Sequence, residues 1–170
     1  MQAKLARSSS NPIIRPRVEL AWESKAAFNP GAVMDRGVVH ILYRAVNEQD
    51  TSSLGYAATV DGETILERSA KPVLSPEGPW EEFGCEDPRI TAFNRRFYVF
   101  YTAFSRMGPR ISLASTTDFK NYERHGVVGP HLDDKDCALF PERINGKVAV
   151  VHRIAPNIEL DFFQSLEELR

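Results

Sequence analysis

The stretch GCEDPRI, residues 84–90, sets two carboxylates, Glu86 and Asp87, against Pro88 and Arg89 directly before a strand-like run. Adjacent acids suit general acid chemistry, because burial and a like-charged neighbour both raise a carboxyl pKa toward neutrality. Proline disfavours helix for the residue before it, so Asp87 is predicted to be extended and presented from the strand entrance. The plain alternative is a turn locked by a local ion pair, with Arg89 holding the acidic pair in place.

Other polar residues recur at matching places along the chain: Asn29 in FNPGAV, Arg44 in YRA, Lys135 and Asp136 in KDCALFPER, and His152 with Arg153 in VHR. A binding channel needs such mixed acids and bases, and a β core does not. Arg106, Arg110, Lys135, His152 and Arg153 form a basic set able to hold an oxyanion, arginine by a bidentate fork and lysine as a point charge. On pattern alone, Lys135 and Asp136 also read as a solvated charge run, and His152 as a satisfied core histidine. No Ser-His-Asp order, P-loop, GxGxxG or HExxH spacing occurs, so no metal ligand set is assigned.

The elements that must position these residues are strands. GVVHILYRAV (37–46), RFYVFYTAF (96–104) and KVAVVHRI (147–154) are rich in β-branched and aromatic residues, and each follows a polar turn. They end alike, in YRA, YTA and HRI, and LGYAATVDG, SLASTTDF and IELDFFQSL follow them as a second aligned set. A repeat of roughly 50 to 58 residues built from strands points to propeller blades. Two blades and part of a third fit the chain, so 1–170 is expected to be a single all-β domain, the truncated N-terminal part of a propeller. The third blade would leave an open strand edge, for a homo-oligomer or a second chain to pair with.

With 170 residues, 42% hydrophobic, the chain can bury a core, and its net charge of -2 offers no general field for nucleic acid. No signal-peptide core and no run of 18 apolar residues is present, which predicts a cytoplasmic protein without membrane contact. Cys85 and Cys137 lack any ligand spacing and are expected as small buried side chains. Arg124 is assigned to the surface. Tyr43, Tyr98 and Tyr101 are assigned to packing between blades.

Taken in order, FNPGAV, ILYRAVN, GCEDPRI, FYVFYTA, KDCALFPER and VHRI resemble glycoside hydrolase family 130, the phosphorylases of β-linked mannosides, from about Asn11 to Ile154. The resemblance implies a five-bladed propeller. It implies Asp87 as the general acid acting on the glycosidic oxygen through a sugar hydroxyl, and inorganic phosphate as the attacking co-substrate, giving inverted mannose 1-phosphate without a further cofactor. It maps the phosphate ligands onto Arg106 or Arg110, Lys135 and His152. Asn29, Arg44, Glu86, Asp136 and Arg153 are then candidate sugar ligands, with Tyr101 as the aromatic platform. Two other readings stand beside it: an inverting hydrolase, and a non-catalytic, carbohydrate-binding partial propeller. A hydrolase needs a second carboxylate to activate water, which a phosphorylase can omit.

Overall fold

The computed structural model describes residues 6–130 and 132–169. Its strands form three antiparallel meanders in chain order. Unit one holds β1 (Ala26–Asp35), β2 (Val38–Val46), β3 (Ser52–Thr59) and the short β4 (Glu67–Arg68). Unit two holds β5 (Gly84–Phe93), β6 (Arg96–Ser105), β7 (Gly108–Thr116) and β8 (Glu123–Val127). Unit three holds β9 (Lys135–Leu139), β10 (Val148–Ile154) and β11 (Asn157–Phe163). The three apolar runs read from the sequence are β2, β6 and β10, each the second strand of its unit.

The first hairpin of every unit closes through two residues of positive φ: Arg36 and Gly37, Asn94 and Arg95, Asn145 and Gly146. This twist matches that of the flanking strands and fixes the register. At the far end of the third strand a threonine and an aspartate close the next turn in units one and two. Asp61 accepts from the backbone of Glu63 and Thr64, and Asp118 from Lys120 and Asn121, which holds both carboxyls well below the usual range.

Units one and two join into one eight-stranded sheet through a single parallel bridge, Ser52 to Gly84. A side chain on Gly84 would collide with the Ser52 backbone, its Cβ only 2.6 Å from the amide nitrogen. A Cβ on Gly31 would lie 2.5 Å from the Pro88 carbonyl oxygen. Close approach of backbones at this seam therefore requires both glycines.

Apolar cores fill the spaces between units. Leu42, Tyr56, Ala58, Val99 and Phe119 meet in one cluster between units one and two, and Leu54, Leu74, Cys85, Tyr101 and Ala114 in another. Phe100, Leu113, Cys137, Leu139 and Val150 join units two and three. Both cysteines are free and buried, as the sequence predicts.

A buried polar triad repeats inside the first two units. The Tyr43 hydroxyl donates to Glu23 at 2.9 Å and accepts from Arg68 at 3.0 Å. The Tyr101 hydroxyl donates to Glu81 at 2.7 Å and accepts from Arg124 at 3.3 Å. Each glutamate ends a one-turn helix, Ala21–Glu23 or Pro79–Glu81, while each arginine comes from the unit's last strand. Arg124 is thus not a surface residue. Its charge is needed where the Glu81 side chain is 6% exposed, since a buried ion survives only when paired and hydrogen-bonded.

Candidate functional site

One backbone irregularity is repeated at the first strand of each unit. The pairing of β1 with β2 slips between Phe28 and Gly31, that of β5 with β6 between Glu86 and Arg89, and that of β9 with β10 opposite Val151 and Arg153. Asn29, Asp87 and Asp136 sit in these bulges with φ of 47°, 51° and 58°. Asp87 is therefore left-handed, not extended as its place before proline predicts. The bulge imposes that conformation, and short Asn and Asp side chains are those that tolerate it. Their second-strand neighbours also correspond: Phe28 pairs with Arg44, Glu86 with Thr102 and Lys135 with Arg153.

The bulges bring charged groups together across the seams. Asn29 Nδ2 donates to Asp87 Oδ1 at 3.0 Å. The Arg44 guanidinium reaches from unit one to both acids of unit two, at 2.6 Å to Glu86 Oε1 and 3.4 Å to Asp87 Oδ1. Its Nε donates to Ser52 Oγ at 2.9 Å, and Ser52 donates on to Glu86 at 3.2 Å. Burial pushes the Glu86 carboxyl upward, the Arg44 charge opposes this, and the negative charge of Asp87 reinforces it.

The second seam repeats the theme. Arg153 holds Asp136 Oδ2 through Nε at 2.9 Å and Nη2 at 2.8 Å, while Arg89 Nη2 lies 3.9 Å from Asp136 Oδ1. Arg89 donates to the carbonyls of Pro88 at 3.1 Å and Asp87 at 3.4 Å, so it grips the bulge's backbone rather than the acidic side chains. Lys135 opens β9 beside Asp136, and its positive charge acts on Glu86. Asn29, Arg44, Glu86 and Asp87 thus form one contiguous group, and Asp136 with Arg153 a second, joined to it through Arg89.

A family model for β-1,4-mannooligosaccharide phosphorylases, glycoside hydrolase family 130, matches residues 5–168. The chain belongs to that family.

Two curated relatives from Thermoanaerobacter sp. (strain X514) sharpen the comparison. A 1,2-β-oligomannan phosphorylase is 40% identical over 96% of this chain and 58% of its own length. A β-1,2-mannobiose phosphorylase is 38% identical over 91% of this chain and 56% of its own. A solved structure, described under the family-130 mannoside phosphorylases as containing glycoside hydrolases that target β-1,2 mannosidic linkages in Candida mannan, superposes with a TM-score of 0.86. It is 26% identical, covering 94% of this chain and 55% of that one. This family-130 chain therefore spans less than three fifths of the length of each of these three, and the names of the two curated relatives differ from the family description in linkage.

The remaining sequence candidates lie elsewhere on the family-130 scaffold. Tyr101 is not an open platform: it is 3% exposed, inside the buried triad. Arg106 stands on the turn between β6 and β7, its side chain 77% exposed and bound by Glu82. Arg110 is buried against Trp80 and pairs with Asp133 at 2.8 Å. His152 turns to the opposite face of β10 from Arg153, as successive strand residues must. Its Nδ1 is 2.7 Å from Asp134 and its Nε2 is 3.2 Å from Asp161. That is the core-histidine alternative in structural form, and burial raises the Asp134 carboxyl against the pull of His152.

By register His152 stands where Tyr43 and Tyr101 stand in the other units. Ser52, Asp134 and Asp161 escaped the sequence reading. Asp134 lies within the acidic run before β9, and Asp161 within the alternating IELDFF, but Ser52 carries no signal beyond its place at a strand start.

Proposed function

We propose that this chain is the N-terminal part of a β-propeller phosphorylase that transfers a mannosyl group from a β-mannoside to inorganic phosphate. Asp87 is its acid. The observation that carries this reading is the charge pattern around the bulges. Asp87 sits among Asn29 and Arg44, while the neighbouring carboxylates Glu86 and Asp136 are each held by a guanidinium at 2.9 Å or less. An inverting hydrolase needs a second carboxylate free to activate water, whereas phosphate arrives as an anion already. A single available acid beside basic side chains favours phosphorolysis.

In the reaction, Asp87 gives its proton toward the glycosidic oxygen, through a hydroxyl of the bound sugar. The bond from that oxygen to the anomeric carbon breaks, and a phosphate oxygen bonds to the carbon from the opposite face. The products are mannose 1-phosphate of inverted configuration and the shortened sugar. Lys135, on unit three, is the basic candidate for phosphate whose charge acts on Glu86 of the acidic pair, with Arg153 opposite it in the β9–β10 pairing. Arg106, Arg110, His152 and Arg153 would have to exchange or share their present carboxylate partners to take part.

The propeller reading rests on equivalent positions. Leu54 and Tyr56 of β3 are buried against unit two, and Ile111 and Leu113 of β7 against unit three. Their counterparts on β11, Ile158 and Leu160, are 76% and 48% exposed, followed on the same face by Phe162 at 44%. A further unit of the same kind would cover them.

Incubation with β-1,2-mannobiose and phosphate, followed by phosphorus NMR, tests the activity. Mannose 1-phosphate is the expected product. Free mannose formed without phosphate would establish the hydrolase instead, and no turnover even in a chain extended by further units would leave the carbohydrate-binding propeller.

A further inference from the structure

The turns at the far end of the first two units carry arginines where the backbone favours other residues. Unit three fills its two positions of positive φ with Asn145 and Gly146, the pair best suited to that conformation. Unit one instead has Arg36 in the first place, with φ of 47°, and unit two has Arg95 in the second, with φ of 63°. Long side chains are disfavoured there, so two such departures call for a reason. They wall the same cleft. It holds about 330 Å³ between Met34, Asp35 and Arg36 of unit one and Arg95, Arg96 and Phe97 of unit two.

We propose that this cleft binds a small organic phosphate, a phosphate ester on an apolar body. It lies at the opposite end of β1 and β5 from the bulges, roughly 20 Å along the strand from Asp87. It is therefore separate from the site that the proposed reaction uses.

Three guanidiniums share the lining with one acid. Arg36 Nε is 3.7 Å from Asp35 Oδ2, and the two side chains are 92% and 40% exposed, so the pair contributes little and can open to a ligand. Arg95 enters no ion pair among the described residues. Arg96 is tied through Nη1 to Glu123 and to Ser115 Oγ at 2.9 Å, which holds its planar fork at the wall. A phosphate dianion accepts from such forks in bidentate fashion. A divalent cation would be repelled, and a neutral ligand would make no use of the excess positive charge.

The apolar wall argues for an ester over the bare ion. Met34 is 67% exposed, and Phe97 is held by Phe119 with ring centroids 4.6 Å apart. The volume is at the lower end for small-molecule sites, which pair apolar surface with a few placed polar groups. Because Arg36 comes from unit one and Arg95 from unit two, a bound phosphate would bridge the two turns. A ligand that binds only the folded state raises its stability.

The test is a titration of the 170-residue chain with phenyl phosphate at low salt, read at the backbone amides of Gly37 and Asn94 by nitrogen-15 correlation NMR. Both signals should move saturably, the melting temperature should rise with ligand, and inorganic phosphate should bind more weakly at the same amides. Arg36→Asn and Arg95→Gly each restore the Asn-Gly pair of unit three, so the turns are kept or relieved while the guanidiniums go. Each should weaken phenyl phosphate by about tenfold or more, as for one charge-assisted contact. The double variant should melt no lower than wild type without ligand and show neither the shifts nor the rise. Met34→Ala, which leaves both turns alone, should weaken phenyl phosphate about threefold and spare inorganic phosphate. Absence of saturable shifts in wild type, or shifts that persist in the double variant, overturns the site. So do shifts confined to unit three, which would place the anion at Lys135. Inorganic phosphate bound at Gly37 and Asn94 as tightly as the ester would overturn the choice of an organic ligand.

Discussion

Asn29 and Asp87 occupy the same bulge position in successive units, both left-handed, and the amide of the first donates to the carboxylate of the second at 3.0 Å. A repeat has turned one backbone irregularity into a meeting of two side chains. Residues in this region of φ and ψ persist only where surrounding structure enforces them, and they gather at functional sites.

Loss of the acid should be felt in turnover rather than folding. Asp87→Asn keeps a side chain that tolerates positive φ and the hydrogen bond reach of the original. Its phosphorolysis rate, in a form of the protein that is active, should fall by at least about 10²-fold, the contribution of a positioned general acid. Sugar affinity should change much less, because the lost proton transfer belongs to the transition state. Near-wild-type rates would remove Asp87 from the mechanism.

Arg44 should matter for stability as well. Its removal leaves Glu86, with a side chain 14% exposed, without its cation. Arg44→Ala is expected to destabilise by about 1.5–3 kcal/mol, the range for hydrogen bonds to charged groups. Adding Glu86→Gln should recover part of that loss, because the stranded charge is then gone. Urea denaturation of the two single variants and the double variant gives the coupling, and strictly additive losses would show that the pair does not interact.

The units were legible because their signals are local. A two-residue turn of positive φ precedes β2, β6 and β10, and each of these strands ends in the same short pattern, so the period survives in the sequence. The bulge was not legible as a bulge. Proline after Asp87 announces an extended residue, and only the pairing of β5 with β6 shows that an extra residue must be absorbed there. The structure brings candidates together where a side chain and its partners share the repeat's register, as with Asn29, Arg44, Glu86 and Asp136. The sequence was misread where the partner comes from a distant loop. Tyr101 looked like a platform because its anchor, Glu81, lies 20 positions earlier in a short helix, and Arg124 looked exposed for the same reason.

The triads make an alkaline limit to stability. Burial is the largest influence on the Tyr43 hydroxyl and pushes it up to about 12 from an ordinary 10.0. A group that holds its proton more tightly when folded contributes fully below the unfolded value and loses that contribution as pH rises through the folded one. Stability should therefore fall between about pH 10 and 12, by on the order of 2–3 kcal/mol from Tyr43 at 1.36 kcal/mol per unit. Tyr43→Phe should show a shallower decline over that window in denaturant titrations at stepped pH. Equal slopes in the two proteins would mean that this hydroxyl does not set the limit.

Phosphate affinity should follow the charges of unit three. Lys135→Ala should raise the phosphate KM by roughly 10-fold or more, since a charge-assisted contact contributes about 1.5–3 kcal/mol. The KM for the mannoside should change less. His152→Asn discriminates between roles for the histidine. If His152 stays with Asp134 and Asp161, its loss lowers the melting temperature and spares the phosphate KM; a rise in that KM with unchanged melting would show that it leaves those partners to bind phosphate.

The exposed face of β11 offers the test of the propeller reading. Leu160 is 48% exposed, while its register counterparts Tyr56 and Leu113 are 6% and 1% exposed beneath the next unit. An apolar stripe of Ile158, Leu160 and Phe162 left to water is a surface that seeks a partner. In the 170-residue chain Leu160→Glu should change stability by no more than about 0.5 kcal/mol, as surface substitutions do, whereas Leu113→Ala should cost about 2–5 kcal/mol. Binding of a hydrophobic dye and any self-association in sedimentation should fall with Leu160→Glu. In a chain extended by a fourth unit the order changes: Leu160→Glu should then destabilise as strongly as Leu113→Ala does, because the charge would be buried between units. A loss confined to the surface range in the extended chain would mean that the fourth unit does not pack on β11, and the propeller reading would fall with it.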